Sequence, residues 1–411
     1  MSWVGERVAR DREVGAARSF WVCRRSALAL PLLFAIVFAQ ALAATPVAAA
    51  SRALAGASRM TPGARWQLQA TPSPGQSAAL LGISCVTASS CQAVGSVSAQ
   101  GSTQPLAEFW NGVGWRTEKA GAVSGAYSAS LYSVACANAS LCMAVGSVEL
   151  GSGHGTLAEL WNGRGWTVVP TPATTESALE SVACPMASLC IAVGVKSGAQ
   201  AGVPLVDVWN GSKWSQANAA VPSNWPNSGL YSISCPSSHS CYAVGMYQNQ
   251  SFTTQNLVEG WSGARWTVLP APNVSAQGDI LDGIACGSTQ SCLAVGSSTT
   301  SVSGQYAPIS VAMRGSGWSM GASQPQSAPG ASSSPQGVSC TGSSACTLVG
   351  NANASPGHVS MAESWNGSSW LAQAVAPASG MNSFAGVSCA GTSCVAVGSA
   401  AGRTLSERYG F

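Results

Sequence analysis

Residues 131–170 read LYSVACANASLCMAVGSVELGSGHGTLAELWNGRGWTVVP. The stretch predicts four consecutive strands: one enters Cys136, a second begins at Cys142, a third ends at Trp161 and a fourth begins at Trp166. The Asn-Gly pair at 162–163 predicts a tight hairpin, because both residue types tolerate positive φ. Four short strands in about 50 residues make one blade of a β-propeller.

The same unit recurs seven times along the chain. Successive first cysteines are 51, 48, 51, 51, 54 and 49 residues apart, and a period near 50 is typical of a propeller or solenoid array. We therefore predict an all-β, seven-bladed β-propeller with four-stranded antiparallel blades. The cysteine pairs are Cys85/Cys91, Cys136/Cys142, Cys184/Cys190, Cys235/Cys241, Cys286/Cys292, Cys340/Cys346 and Cys389/Cys394.

The two ends of the repeat predict closure of the ring. The last unit stops after its third strand, with Tyr409 where other units carry their first Trp. An unattached fourth strand, residues 66–69, begins the repeat region. We expect this N-terminal strand to complete the last blade, because closure removes exposed strand edges. The predicted propeller spans residues 66–411.

The unit resembles the kelch-like propeller repeat, above all the disulfide-bearing versions in secreted proteins of high-GC bacteria. The matching features are the Val-Gly end of the second strand, the aromatic residue before the turn, the Trp about five residues later and the Pro after the fourth strand. The unit departs from kelch repeats in carrying one Gly where they carry two, as in Gly146-Ser147 and Gly194-Val195.

We expect each cysteine pair to form a disulfide. Cysteines six apart on the two strands of a hairpin can bring their Cα atoms to the roughly 5.5 Å that a disulfide prefers. Zinc is the alternative, but it needs four ligands per site, and no His recurs beside the pairs. Export to an oxidising compartment favours disulfides.

Residues 1–50 predict an export signal peptide, followed by a linker at 51–65. The pair Arg24-Arg25 precedes an apolar run from Ala27 to Ala39, and small-residue cleavage sites follow. We expect a secreted or extracellular protein without a stable membrane span in the mature chain. If the apolar segment stays uncleaved, the protein is anchored at the cell surface.

The balance of charge argues against two classes of partner. Six of the 18 basic and three of the 15 acidic residues precede residue 44, which leaves 12 of each in the body. A neutral body gives no electrostatic reason to expect nucleic acid or an anionic membrane. We predict no cofactor, no metal site and no catalytic constellation, and a monomer by default.

In six units an acid stands two residues before the first Trp, or before Tyr409 in the last unit. Such carboxylates could be catalytic, or could accept hydrogen bonds from backbone N–H groups of the adjacent turn. Repetition favours the structural role, since a reaction happens at one place, and it likewise favours a core role for the paired Trp residues. The acids are Glu108, Glu159, Asp207, Glu259, Glu363 and Glu407, and the fifth unit carries Val311 instead.

Ligand-binding candidates lie in the variable loops, which the fold gathers on one face. Aromatic side chains on such loops are typical contacts to sugars or protein partners, whereas Asp279 and Asp282 could form a glycosidase pair or simply start a strand. The candidates are Trp225, Tyr127, Tyr247, Tyr306, His154, His358, Asp279 and Asp282.

The sequence therefore predicts an extracellular binding or scaffolding propeller. Its ligand would be a glycan, a cell-wall component or a protein, held on the face of variable loops. The alternative is an exported propeller enzyme of glycosidase or lyase type, which would use blade-specific acids near the central channel. A surface protein without a small ligand is the third possibility.

Overall fold

The structure of the protein is a computed structural model. It describes residues 65–99, 101–151, 153–172, 175–197, 202–220, 225, 227–301, 305–315, 317–321, 323–326, 332–354 and 357–410. The predicted signal peptide and most of the predicted linker lie outside the described residues.

All regular elements in this part of the chain are strands, and no helix there could cross a membrane. They are β1 (Gln67–Gln69), β2 (Ser77–Thr87), β3 (Ser90–Ala99), β4 (Ser102–Trp110), β5 (Trp115–Glu118), β6 (Ser128–Asn138), β7 (Leu141–Leu150), β8 (Gly153–Trp161), β9 (Trp166–Val168), β10 (Ser177–Met186), β11 (Leu189–Ser197), β12 (Gly202–Trp209), β13 (Trp214–Ala217), β14 (Ser228–Ser237), β15 (Ser240–Gln248), β16 (Thr254–Trp261), β17 (Trp266–Val268), β18 (Asp279–Ser288), β19 (Ser291–Thr299), β20 (Tyr306–Arg314), β21 (Gly317–Met320), β22 (Ser333–Gly342), β23 (Ala345–Ala354), β24 (Gly357–Trp365), β25 (Trp370–Gln373), β26 (Asn382–Ala390), β27 (Ser393–Ala400) and β28 (Arg403–Tyr409).

These strands form seven antiparallel blades, as predicted. Blade 1 comprises β2–β5, and blades 2 to 6 follow in groups of four, from β6–β9 to β22–β25. A single bridge between Thr103 and Ser128 joins blades 1 and 2 into one eight-stranded sheet. Blade 7 has the order β1-β28-β27-β26, so the predicted split blade is confirmed.

The N-terminal strand is held in blade 7 by both backbone and side chains. β1 pairs antiparallel with β28, with Leu68 opposite Glu407. Trp66 is only 2% exposed, and its ring centroid lies 5.5 Å from that of Tyr409. Its indole Nε1 donates to Oε1 of Gln373 at 2.9 Å. Trp66 and Tyr409 thus replace the Trp pair of a complete blade.

The first strands of the blades pack against one another in a closed circle, from β2 through β6, β10, β14, β18 and β22 to β26 and back to β2. Serine side chains on these strands accept hydrogen bonds from backbone N–H groups of the next blade. Ser84 Oγ accepts from Cys136 N at 3.0 Å, and Ser388 Oγ accepts from Cys85 N at 2.9 Å. The second of these bonds joins the last blade to the first.

All seven cysteine pairs are disulfides, with S–S distances of 2.01 to 2.07 Å. Their Cα atoms are 3.9 to 4.1 Å apart, closer than the expected 5.5 Å. The N–H of Cys85 donates to the neighbouring blade, so Cys85 and Cys91 are a non-hydrogen-bonded pair of the ladder. Such pairs bring the strands closest together.

The two cysteines of each disulfide differ in burial. The first is only partly buried, whereas the second lies fully inside one of the hydrophobic clusters of the core. These buried second cysteines are Cys91, Cys142, Cys190, Cys241, Cys292, Cys346 and Cys394. They belong to the disulfides that the sequence predicts, and their burial leaves no surface for a ligand. The cause is their place on the second strand, which is buried along most of its length.

The paired Trp residues lie in the core between neighbouring sheets, as predicted. Trp161 and Trp166 of blade 2 pack in one cluster with Val94 of blade 1. The Val-Gly end of the second strand has a steric cause, since a Cβ on Gly146 would lie 1.9 Å from the Ser130 carbonyl oxygen. The repeated motif therefore encodes packing both within a blade and between neighbouring blades.

Candidate functional site

The repeated acids belong to the scaffold. Each is buried on the third strand of its blade, and four of them accept a backbone N–H from the connection that arrives from the preceding blade. These bonds join Glu159 to Gly121 (2.7 Å), Glu259 to Ala220 (2.8 Å), Glu363 to Gln326 (2.9 Å) and Glu407 to Ala376 (2.8 Å). The predicted structural role of the carboxylates is confirmed for these four blades.

Burial controls the ionisation of these acids. Desolvation raises the pKa of Glu159 from 4.5 to about 7, and the hydrogen bond from Gly121 opposes the shift only in part. In Asp207 burial raises the pKa to about 6, while the charge of Lys196 lowers it. Burial likewise raises the pKa values of the remaining acids to about 7: Glu108, Glu259, Glu363 and Glu407.

The blades present two different faces. Because neighbouring strands are antiparallel, the Cys loops and the Asn-Gly turns lie together at one end of each blade. The loops between second and third strands, and the connections between blades, lie at the other end. We call this second end the variable-loop face. Its loops differ in length and sequence from blade to blade, so a blade-specific ligand would bind there.

Two predicted ligand residues meet on the variable-loop face of blade 4. The ring of Trp225 stacks on that of Tyr247, with centroids 3.7 Å apart and planes inclined by 11°. Both rings are half-buried and pack on the core cluster between blades 3 and 4. Burial also raises the pKa of the Tyr247 hydroxyl. Trp225 thus packs on the core between the two blades and keeps part of its ring exposed.

The loop between β15 and β16 adds an aromatic residue that sequence reasoning missed. Phe252 is 74% exposed and has a φ of 59°, in the left-handed region that bulky residues avoid. Asn249 fixes the loop: its Oδ1 accepts from Ser251 N at 2.9 Å and from Thr253 N at 3.0 Å. We call Trp225, Tyr247 and Phe252 the blade 4 aromatic group.

The other predicted aromatic candidates lie elsewhere on the ring. Tyr127 is 67% exposed in the connection from blade 1 to blade 2. Tyr306 begins β20 in blade 5, where its backbone N–H donates to Ser332 Oγ at 2.9 Å and burial raises the pKa of its hydroxyl. Neither residue joins the blade 4 aromatic group.

The two predicted histidines occupy equivalent positions in different blades. His154 pairs with Glu149 in blade 2, and His358 pairs with Asn353 in blade 6. Blades 7 and 1 separate them. Among the described residues, no three His, Cys, Asp or Glu side chains lie close enough to hold a metal ion.

The two predicted aspartates have different surroundings. Asp279 is fully buried, and its Oδ2 accepts from the backbone N–H groups of Val274 and Ser275, so it caps the turn before β18. Asp282 lies four residues before Cys286, at a register shift of the first strand. Because its carboxylate caps this turn, Asp279 is not placed as a second acid for a reaction at Asp282.

Every first strand has a register shift at the position of Asp282. A bulge can turn a side chain away from the ladder, and bulges are frequent beside active sites. The residues at this position, which we call the bulge ring, are Leu81, Tyr132, Glu180, Tyr231, Asp282, Gln336 and Ala385. Glu180 and Asp282 are its buried acids. No repeat pattern in the sequence indicates this ring, since its seven positions carry six different residue types.

Known structures share the architecture. No protein-family model and no curated protein sequence matches this chain. The crystal structure of the WD40 β-propeller domain of Doa1 is 12% identical with a TM-score of 0.51, over 84% of this chain and 97% of that domain. YCF48 bound to D1 peptide is 11% identical with a TM-score of 0.53, over 86% of this chain and 99% of that one. The chain has the β-propeller fold. At these identities the likeness extends to the fold alone.

Proposed function

We propose that this propeller is an extracellular binding or scaffolding protein that holds a glycan, a cell-wall component or a protein on its variable-loop face. The blade 4 aromatic group carries the proposal. It is specific to one blade, and it keeps a large exposed side chain, Phe252, where folding gives no reason for one. Exposed aromatic residues of this kind are typical binding contacts.

Two further observations support an extracellular setting and a polymeric partner. Seven disulfides in one chain suit an oxidising compartment, in agreement with the signal peptide that residues 1–50 predict and with the kelch-like repeats of secreted bacterial proteins. YCF48, a propeller of similar architecture, is bound to a peptide. A protein ligand therefore stands beside a glycan in the proposal.

The proposal is tested with the protein secreted by its own signal and purified from the medium. We expect the wild type to bind a component of a glycan array, an isolated cell wall or the extracellular proteome. Trp225→Ala should weaken that binding. The control is Val113→Ser, which removes a side chain 89% exposed on the opposite face. Equal binding by wild type and Trp225→Ala, with loss in Val113→Ser, would contradict the proposal.

The enzymatic alternative rests on the bulge ring. Glu180 and Asp282 are blade-specific acids at equivalent positions of two first strands, whereas the repeated acids belong to nearly every blade. The test is release of reducing or unsaturated ends from polysaccharides by the wild type and by Glu180→Gln and Asp282→Asn. Hydrolysis or elimination lost in both variants would replace the binding role with a catalytic one.

A further inference from the structure

We propose that the ligand of the blade 4 aromatic group is an uncharged glycan, which lies across Phe252 and the exposed part of the Trp225–Tyr247 stack. This inference rests on the proposed function and adds the chemical class and the location of the ligand. Three properties of the group carry it: the shape of its surface, the conformation of Phe252 and the absence of charge from the segment that forms it.

The stack supplies a rigid aromatic surface. Parallel rings 3.7 Å apart support each other, and packing on the core between blades 3 and 4 holds Tyr247 from below. Binding to such a surface costs little side-chain entropy, because the rings are already ordered in the free protein. The C–H faces of a sugar ring are apolar and flat enough to lie on it, while the hydroxyl groups at the ring edge point outwards.

Phe252 has no structural reason to be aromatic. Its side chain is 74% exposed, and its φ of 59° costs a bulky L-residue about 1–2 kcal/mol. Asn249 fixes the loop through backbone N–H groups, and Phe252 N donates to the Asn249 carbonyl at 2.9 Å. The phenyl group contributes nothing to these bonds. An observed strained residue that folding does not need is a candidate for function.

The segment that forms the group favours an uncharged ligand. Residues 218–258 contain no Lys, Arg, Asp or Glu, and they supply the last part of the connection into blade 4, its first two strands and the Phe252 loop. The polar side chains next to Tyr247 are uncharged amides. Gln255 lies opposite Tyr247 in the ladder, and Gln248 follows Tyr247 in the chain. An amide both donates and accepts, so it matches hydroxyl groups, whereas this segment itself offers no counter-ion to a charged ligand.

The test measures binding of defined polysaccharides by biolayer interferometry. The neutral probes are cellohexaose, xylan and mannan, and the acidic probe is polygalacturonate. We expect at least one neutral probe to bind the wild type at least tenfold more tightly than polygalacturonate does. Polygalacturonate binding as tightly as the neutral probes would overturn the inference.

Two variants locate the site, and a third is the matched control. Phe252→Asn should weaken neutral-probe binding at least tenfold and keep the melting temperature, because Asn tolerates the left-handed conformation and no core contact is lost. Trp225→Ala should weaken binding as strongly. Tyr127→Ala removes a similarly exposed aromatic side chain from another blade connection on the same face and should leave binding unchanged. Unchanged binding in Phe252→Asn and Trp225→Ala would refute the site.

Failure of this inference is distinguishable from failure of the proposed function. If no neutral probe binds but a protein binds and Phe252→Asn abolishes that binding, the ligand class is wrong and the binding face is right. If a neutral probe binds and only Val113→Ser weakens it, the variable-loop face itself is the wrong site, and both proposals fall.

Discussion

The strongest test of the scaffold chemistry is Glu159→Gln. In the folded chain the pKa of Glu159 is about 7, whereas its ordinary value is 4.5. The folded state therefore binds the proton more tightly than the unfolded state does. Stability from this group is fully present below about pH 4.5 and is lost as pH rises towards 7. At roughly 1.4 kcal/mol per pKa unit, ionisation lowers the free energy of unfolding by about 3 kcal/mol.

Glutamine cannot ionise, and it keeps an oxygen for Gly121 N–H. The amide group adds a buried donor at the place of Oε1, which has no hydrogen-bond partner among the described residues. That costs about 1 kcal/mol at every pH and leaves the pH dependence unaffected. Relative to wild type, the stability of Glu159→Gln should therefore rise by about 3 kcal/mol between pH 4 and pH 8. For about 350 residues this corresponds to roughly 4 °C in melting temperature.

The assay is a series of thermal melts from pH 4 to pH 8 for wild type, Glu159→Gln and the control Glu149→Gln. Glu149 lies on the neighbouring strand of the same blade and is half-buried. The control should follow the wild type throughout. A melting-temperature difference between wild type and Glu159→Gln that stays constant, or that moves against the variant as pH rises, would refute the burial argument.

The other predictions concern the contacts that close the ring and the combined effect of the buried acids on the pH dependence of stability. Trp66→Ala should lower the free energy of unfolding by about 3–5 kcal/mol, measured by denaturant titration, because the side chain is almost fully buried. Ser388→Ala should cost about 1–2 kcal/mol in the same assay, since Cys85 N–H loses its acceptor. Ala285→Ser should raise the melting temperature by about one or two degrees, because it provides Cys340 N–H with the kind of acceptor that other blades have; an unchanged or lower value would contradict this. Wild type should melt at a higher temperature at pH 5 than at pH 8, because five Glu residues share the raised pKa.

The sequence predicts the architecture because the same local signals recur. Cys136 and Cys142, the Asn162 turn and the Trp161–Trp166 pair each have a physical role within one blade, so their repetition counts the blades. The split blade follows from residues 66 and 409, which are the two halves of one repeated aromatic pair. In each of these features the residue type itself indicates the local structure: a disulfide, a tight turn or a core contact.

The candidate site is less predictable because its geometry depends on backbone and on contacts between distant residues. Trp225 and Tyr247 are separate candidates in the sequence, and only the fold stacks them. Phe252 stands in a polar loop without any periodic signal. The donors to the buried carboxylates, such as Gly121, are backbone N–H groups, which nearly every residue type has, so the sequence does not reveal them.

On the proposed extracellular role, the split blade has a consequence for the order of assembly during export. β1 would leave the membrane before the strands β2 to β27, and its partner β28 would leave after them. Each disulfide joins cysteines only five or six residues apart, so a hairpin can be crosslinked soon after it emerges. The circle cannot be sealed until the final strand arrives. We therefore expect oxidised but open intermediates throughout translocation, with sealing as the last event.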